Sequence, residues 1–290
     1  MTPTHISHAL MASPKVRCAT FFSRWRRLLV AVFVFVTGAG FKLESGRGAN
    51  PAAETLFAWP AFIAHAHSHN DYEQRHPLLD ALASQINSIE ADLFLDETTI
   101  LVAHDRGKWR GNFEELYLKP LNQRWMENAL PTHGDEPFLL WLDIKEGSAA
   151  FREALHALLQ RYPITRSIDP QRPPVQVILT GDAVAKDAFV REYPSALVSR
   201  DSNIFSDADP PASPAWSWYA LDWTKIGAWN GQGGIPPAER NQLRDLVTKV
   251  HAKGRKVRLW KHPATLAFWQ EAIAAGVDRL GTDIMPKNAQ

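Results

Sequence analysis

The chain has 290 residues, of which 45% are hydrophobic and 22% charged, with a formal net charge of +1 and a single cysteine. That length suits one α/β barrel of roughly 250 residues with an extension. The absence of a basic stripe excludes nucleic acid as an expected partner, and Cys18 alone excludes an intramolecular disulfide.

Residues 1–49 read as separate from the fold. Arg24, Arg26 and Arg27 precede an apolar run from Leu28 to Val36, and small residues Thr37-Gly38-Ala39-Gly40 follow. This is the order of a signal peptide. The run is shorter than the roughly 20 residues of a membrane span, although an uncleaved N-terminal membrane anchor stays open as the second reading. The first 49 residues hold 7 of the 32 Lys and Arg and 1 of the 31 Asp and Glu, leaving 25 basic against 30 acidic residues, about −5, for residues 50–290. With no disulfide possible there, the expectation is a bacterial exported protein, periplasmic or secreted, touching a membrane only through its N-terminal segment, and monomeric.

From Ala61 onward apolar runs alternate with helix-like segments. Strands are predicted at 61–66, 88–94, 138–144, 175–180, 196–200, 217–222, 256–260 and 279–282, with a short extra strand at 101–104. Helices are predicted at 76–86, 148–161, 183–192, 238–253 and 264–275. Asp182 and Pro263 read as helix starts, and Gly254 and Gly276 as stops. Residues 202–215, rich in Ser, Asp and Pro, read as a surface loop. Eight strands separated mostly by helices predict a TIM (β/α)8 barrel, with its active site at the C-terminal ends of the strands.

The chemistry concentrates in residues 63–105. In the run from Ser88 to Leu95, Ile89, Ala91, Leu93 and Leu95 share one face, and Glu90, Asp92 and Phe94 the other. A period of two puts Glu90 and Asp92 on the same side, about 7 Å apart. Two such carboxylates repel unless a cation lies between them, and hard oxygen donors suit Mg²⁺ or Ca²⁺. Asp143 emerges from a continuously apolar run, Phe138 to Leu142, and is the expected third ligand. Lys145 is placed to hold a phosphate oxygen as a point charge. His69 and His104, each following an apolar run, are the expected acid–base pair, because imidazole titrates near neutrality. His65, His67 and His69 form H-A-H-S-H, so spacing leaves open whether His67 or His69 is catalytic.

The pieces Ser68-His69-Asn70-Asp71-Tyr72, Glu90-Ala91-Asp92, His104-Asp105 and Asp143-Ile144-Lys145, in this order, resemble the phospholipase C-like phosphodiesterase superfamily. The first is similar to phosphoinositide phospholipase C, the next two to glycerophosphodiester phosphodiesterases, and the last to venom-type phospholipases D. The resemblance implies a PLC-like TIM barrel with a divalent metal on Glu90, Asp92, Asp143 and Asn70. It implies His69 and His104 as catalytic groups, and Lys145, Trp260 and His67 among the substrate-binding ones. The implied activity is hydrolysis of glycerophosphodiesters or (lyso)phospholipid head groups, with the alcohol groups left open.

Two other readings compete. The three alternating histidines also fit a zinc amidohydrolase or a PHP-type phosphoesterase, with Asp283 closing the site. Such sites need histidines on later strands, and here only His262 follows one. The other is a barrel that binds a ligand without catalysis.

Overall fold

Eight apolar runs pair as the parallel strands of a closed barrel in a computed structural model, which describes residues 60–131, 133–165 and 175–283. The expected leader or anchor at residues 1–49 lies outside the described residues. Strands β1 (Ala66–Ser68) and β2 (Ser88–Asp96) are followed by two short strands, β3 (Thr99–Val102) and β4 (Gly111–Asn112). The chain then continues through β5 (Phe138–Ile144), β6 (Val175–Gly181), β7 (Val198–Ser202), β8 (Trp216–Asp222), β9 (Lys256–Trp260) and β10 (Arg279–Thr282). β5 to β10 follow β2 around the barrel in chain order, and β1 closes it between β10 and β2. The closing registers are Ala66↔Leu280, His67↔Gly281 and Ser68↔Thr282 on one side and Ser68↔Ile89 on the other. Closure satisfies the strand edges that an open sheet exposes. This is the TIM-like α/β barrel that the alternation of runs and helices predicts. β3 runs antiparallel to the end of β2, from Leu93↔Val102 to Asp96↔Thr99, outside the barrel ring.

The strand period of two decides what enters the lumen. On β5, Leu140, Leu142 and Ile144 join the large core beneath the helices, whereas Leu139 and Trp141 form a separate cluster with Ile178, Trp218 and Ala220, packed against Trp260. That second cluster fills the lumen. Trp141 meets Trp218 edge-on with ring centroids 5.2 Å apart, and His67 at 5.4 Å. The next inward position on β5 is Asp143, paired in register with Asp92 of β2. A carboxylate layer therefore follows directly on an aromatic one.

Several boundaries differ from expectation, each for a local reason. Residues 61–66 do not form the first strand: Pro60–Ile63 is one helical turn, and only Ala66–Ser68 reaches the sheet. Proline suits a first helical turn because its missing N–H has no partner there anyway. The helix expected at 76–86 shrinks to Leu79–Ala83, because Leu78 sits at φ 65° with its N–H bound to Asp71. The last helix begins at Leu266 rather than near Pro263, since the Thr265 hydroxyl caps the Phe268 N–H. Residues 114–126, given no element by the sequence reading, form the π-helical turn Glu114–Leu118 and the helix Lys119–Met126. Asp182 does cap Ala183–Glu192 as expected, accepting from the Ala185 N–H at 2.8 Å.

Gly181, the last residue of β6, has φ +85°, and a Cβ there would overlap Asp143 Oδ1 and lie 2.6 Å from the Ile144 carbonyl oxygen. Both the backbone conformation and the close approach demand glycine. Gly181→Ala should therefore destabilise the protein by roughly 1–3 kcal/mol. A urea titration should show a lower midpoint at unchanged slope; a wild-type midpoint would contradict this tight approach.

Candidate functional site

Three carboxylates converge at the barrel mouth. Glu90 and Asp92 from β2 and Asp143 from β5 each offer an oxygen, all within 4.8 Å of one another. Anions this close need compensation. Lys145 Nζ lies 2.8 Å from Asp92 Oδ2 and 2.9 Å from Asp143 Oδ2. Arg258, from β9, donates to Glu90 Oε2, and the Tyr72 hydroxyl donates to Asp92 Oδ2 at 2.8 Å. One oxygen of each carboxylate is thus tied by a protein donor. The remaining oxygens of the two aspartates, Asp92 Oδ1 and Asp143 Oδ1, are buried without a hydrogen-bond partner among the described residues. Orphaned buried acceptors are costly. An oxygen-only set with free lone pairs fits a hard divalent cation such as Mg²⁺ or Ca²⁺.

The electrostatics follow from burial and these partners. Burial, with the nearby Glu90 charge, lifts the Asp143 carboxyl to about 6 against the opposing pull of Lys145. Burial likewise raises Asp92. Glu90 goes the other way: burial alone would raise it, but the Arg258 guanidinium and the His67 hydrogen bond hold it well below the usual carboxylate range. His67 is pushed down to about 3 by burial and by Arg258, so its imidazole is neutral at physiological pH.

The histidines that the sequence leaves as alternatives separate clearly. β1 is only three residues long, so His67 points into the lumen, fully buried, between Ser88 Oγ and Glu90 Oε2 at 2.8 Å each. Expected among the substrate-binding groups, His67 lies behind the carboxylates rather than in the cavity lining, as does the fully buried Asp92. His69, just past β1, lines the cavity and contacts Asp283 Oδ1 through Nδ1 at 2.8 Å. A carboxylate accepts only, so Nδ1 carries the proton and Nε2 is left for chemistry. Burial would lower the His69 pKa, but the Asp283 bond and the charge of Glu90 raise it overall. His65 contacts the Asp278 carbonyl oxygen instead. The three alternating histidines therefore do not converge, and the metal-competent cluster found among the described residues contains none of them.

The other expected residues are placed as follows. A cavity of about 530 Å³ is lined by His69, Asn70, Glu90, His104, Asp143 and Lys145, together with Trp260. His104 is 62% exposed and touches Asp105 at 3.4 Å. Asn70 holds a left-handed φ of 46°, and its side-chain amide lies 3.1 Å from the Tyr72 hydroxyl. Lys145, expected on phosphate, is held by two aspartates, with its third ammonium proton left over. Trp260 donates its Nε1–H to the Ala220 carbonyl oxygen, which fixes the ring at the cavity wall.

Sequence reasoning gave no role to Tyr72 or Arg258 and named Asp283 only as closing the competing zinc site, whereas it contacts His69. A signal for Arg258 was present: in Lys256-Val257-Arg258-Leu259-Trp260 it shares the inward face with Trp260. No local pattern pairs Asp283 with His69, 214 residues away.

Comparison with known proteins adds the lineage. Residues 59–137, which carry His69, Asn70, Glu90, Asp92 and His104, match the AIM6-like phosphodiesterase domain. The chain is 32% identical to altered inheritance of mitochondria protein 6 of Eremothecium gossypii over 273 residues, covering 76% of this chain and 67% of that protein. It is 24% identical to a homolog in Arthroderma benhamiae, covering 72% of this chain and 78% of that protein. A shorter match, 39% over 81 residues, reaches the Kluyveromyces lactis protein and covers 19% of it. No solved structure matches. These relatives are fungal and named for mitochondrial inheritance, which overturns the expectation of a bacterial protein that is secreted or periplasmic. A short basic-then-apolar stretch and a scarcity of cysteine are not specific to bacterial export. No helix among the described residues is long and apolar enough to cross a membrane. On its identity and coverage with the Eremothecium gossypii protein, the chain belongs to the altered inheritance of mitochondria protein 6 family.

Proposed function

We propose that this protein is a metal-dependent phosphodiesterase of the PLC-like type, acting on glycerophosphodiesters or (lyso)phospholipid head groups. The observation that carries this reading is the pair of unpartnered oxygens, Asp92 Oδ1 and Asp143 Oδ1, beside Glu90: Asp143 and Glu90 line the cavity with His69 and His104, and Asp92 is buried directly behind them. Glu90, Asp92 and Asp143 would hold the cation, with Asn70 at the rim. A divalent ion bound there supplies Lewis-acid stabilisation of the phosphoryl oxygens. His69, oriented by Asp283, takes the proton of the attacking hydroxyl at Nε2, and His104 protonates the departing alkoxide. A substrate hydroxyl next to the phosphate is the expected first nucleophile, giving a cyclic phosphate.

Charge favours diesters over monoesters. The three carboxylates are met by Lys145 and Arg258, with His67 neutral, for a balance of about −1. A divalent cation shifts that to about +1, which a monoanionic diester neutralises and a dianionic monoester overshoots. Purified protein should therefore cleave glycerophosphodiesters with Mg²⁺, Mn²⁺ or Ca²⁺ and fail in chelator, with much weaker action on phosphomonoesters. Chelator-resistant turnover, or a preference for monoesters, would contradict the reading.

The division of labour between the histidines is separable by leaving group. General acid catalysis is worth about 10²–10⁴-fold where an alkoxide departs, and little where p-nitrophenolate does. His104→Ala should lose about that factor on an alkyl diester and recover on a nitrophenyl diester, while His69→Ala stays slow on both. Equal losses on both substrates for both variants would rule this assignment out.

A pH prediction follows from Asp143. Its folded pKa of about 6 lies above the ordinary 3.8, so the metal-free folded state gains stability from protonation at low pH and loses it as pH rises through about 6. The displacement corresponds to at most about 3 kcal/mol. In chelator, Asp143→Asn should be more stable than wild type at pH 8, by up to that amount, and the gain should vanish near pH 4. Paired urea titrations at the two pH values measure it; a variant less stable at pH 8 would contradict the sign.

A further inference from the structure

Arg258 enters the lumen from the middle of β9, is only 4% exposed and yet lines the cavity. Its guanidinium lies over the Trp141 ring, 4.5 Å from the centroid, a stacking that fixes the plane of the group. Among the described residues its polar contacts run through Nη1, which donates to Glu90 Oε2 and lies against His67 Nε2. A guanidinium carries five N–H donors in a rigid fork, and Nη1 accounts for two of them. Nε is buried and has no partner among the described residues.

That use of the group is unlike a salt bridge made for its own sake. A guanidinium that only neutralised a carboxylate would gain most by engaging it with two parallel N–H donors. Here Glu90 and His67 share one nitrogen, and the rest of the fork is left beside a cavity lined by cation-seeking oxygens. An unmade hydrogen bond to a buried charged donor is costly, so the free donors point to a missing acceptor. The acceptor must be anionic and must reach a cavity already flanked by Lys145.

We infer that Arg258 is an anion-binding residue of this cavity, donating from its free N–H groups to a non-bridging phosphate oxygen while Nη1 keeps Glu90 in place. The identity of the anion rests on the phosphodiesterase reading; the binding itself does not. Arg258 then has two tasks, fixing one carboxylate of the metal-competent cluster and gripping the phosphate beside it. A lysine can do the first and only part of the second, because it is a point charge without a fork.

Arg258→Lys separates these tasks. Dimethyl phosphate, which is hydrolysed too slowly to complicate a titration, is the probe, and calorimetry is done on the whole protein with Mg²⁺ present. Hydrogen bonds to charged groups predict that the variant binds dimethyl phosphate about 10–100-fold more weakly, while Mg²⁺ affinity in the absence of the anion changes little. Wild-type affinity for dimethyl phosphate in a folded variant overturns the inference. If the variant does not fold, the Arg258 Nε–H resonance of the wild-type protein decides: it should shift on saturation with dimethyl phosphate, and a signal that stays in place overturns the inference. The outcomes also separate the two claims. Anion binding through Arg258 without cleavage of any diester refutes the phosphodiesterase reading alone. Diester cleavage at wild-type kcat/KM by Arg258→Lys refutes this inference alone.

Discussion

Three carboxylates packed into a barrel lumen repel one another, and the whole mouth of this protein is arranged around that repulsion. Lys145 bridges Asp92 and Asp143, Arg258 meets Glu90, and Tyr72 donates to Asp92. These contacts satisfy one oxygen of each acid and leave a shortfall of about one positive charge together with two unpartnered oxygens. The acids are held in place by these donors while two of their buried acceptors stay unmet. The barrel makes it possible because β2 and β5 are neighbours in register, with Asp92 opposite Asp143. Beneath it, Trp141, Trp218 and Ile178 close the lumen, so water and ligands approach from the mouth.

The loop from His69 to Leu78 connects this centre to the rest of the site. Asp71 is fully buried and accepts from Ser68 Oγ at 2.7 Å, from Tyr117 at 2.9 Å and from the Leu78 N–H at 2.5 Å. Those three donors come from β1, from the π-helical turn and from the left-handed Leu78. They fix the loop on which Asn70 and Tyr72 sit, and Tyr72 in turn reaches Asp92. Backbone held in sparsely populated conformations persists only where its surroundings over-determine it, and Leu78 and Asn70 both meet that condition here. At the other wall, β10 delivers Asp283 to His69 immediately after its last residue.

Much of this was legible in the sequence, and the reason is periodicity. Glu90, Asp92 and Asp143 interrupt apolar strand runs at inward positions, and the structure brings those three together. The strand β10 and the helix Ala183–Glu192 fall where their patterns place them. What failed depended on a few residues of boundary or on distance along the chain. Pro60 turns the supposed first strand into a helical turn, and the resulting short β1 decides that His67 faces the lumen while His69 reaches the mouth. The pairing of Arg258 with Glu90, 168 residues away, arises only from the barrel fold. The setting of the protein was not written in its N-terminal composition: the fungal relatives displaced the reading of bacterial export.

The central claim is that Glu90, Asp92 and Asp143 hold a catalytic divalent cation. Crystals soaked with Mn²⁺ and measured at the manganese edge test it most directly. The account predicts one strong anomalous peak among those three carboxylates, with Asp92 Oδ1 and Asp143 Oδ1 at bonding distance, and its disappearance in Asp92→Asn. An empty carboxylate cluster at saturating Mn²⁺, with Lys145 and Arg258 in place, would contradict it.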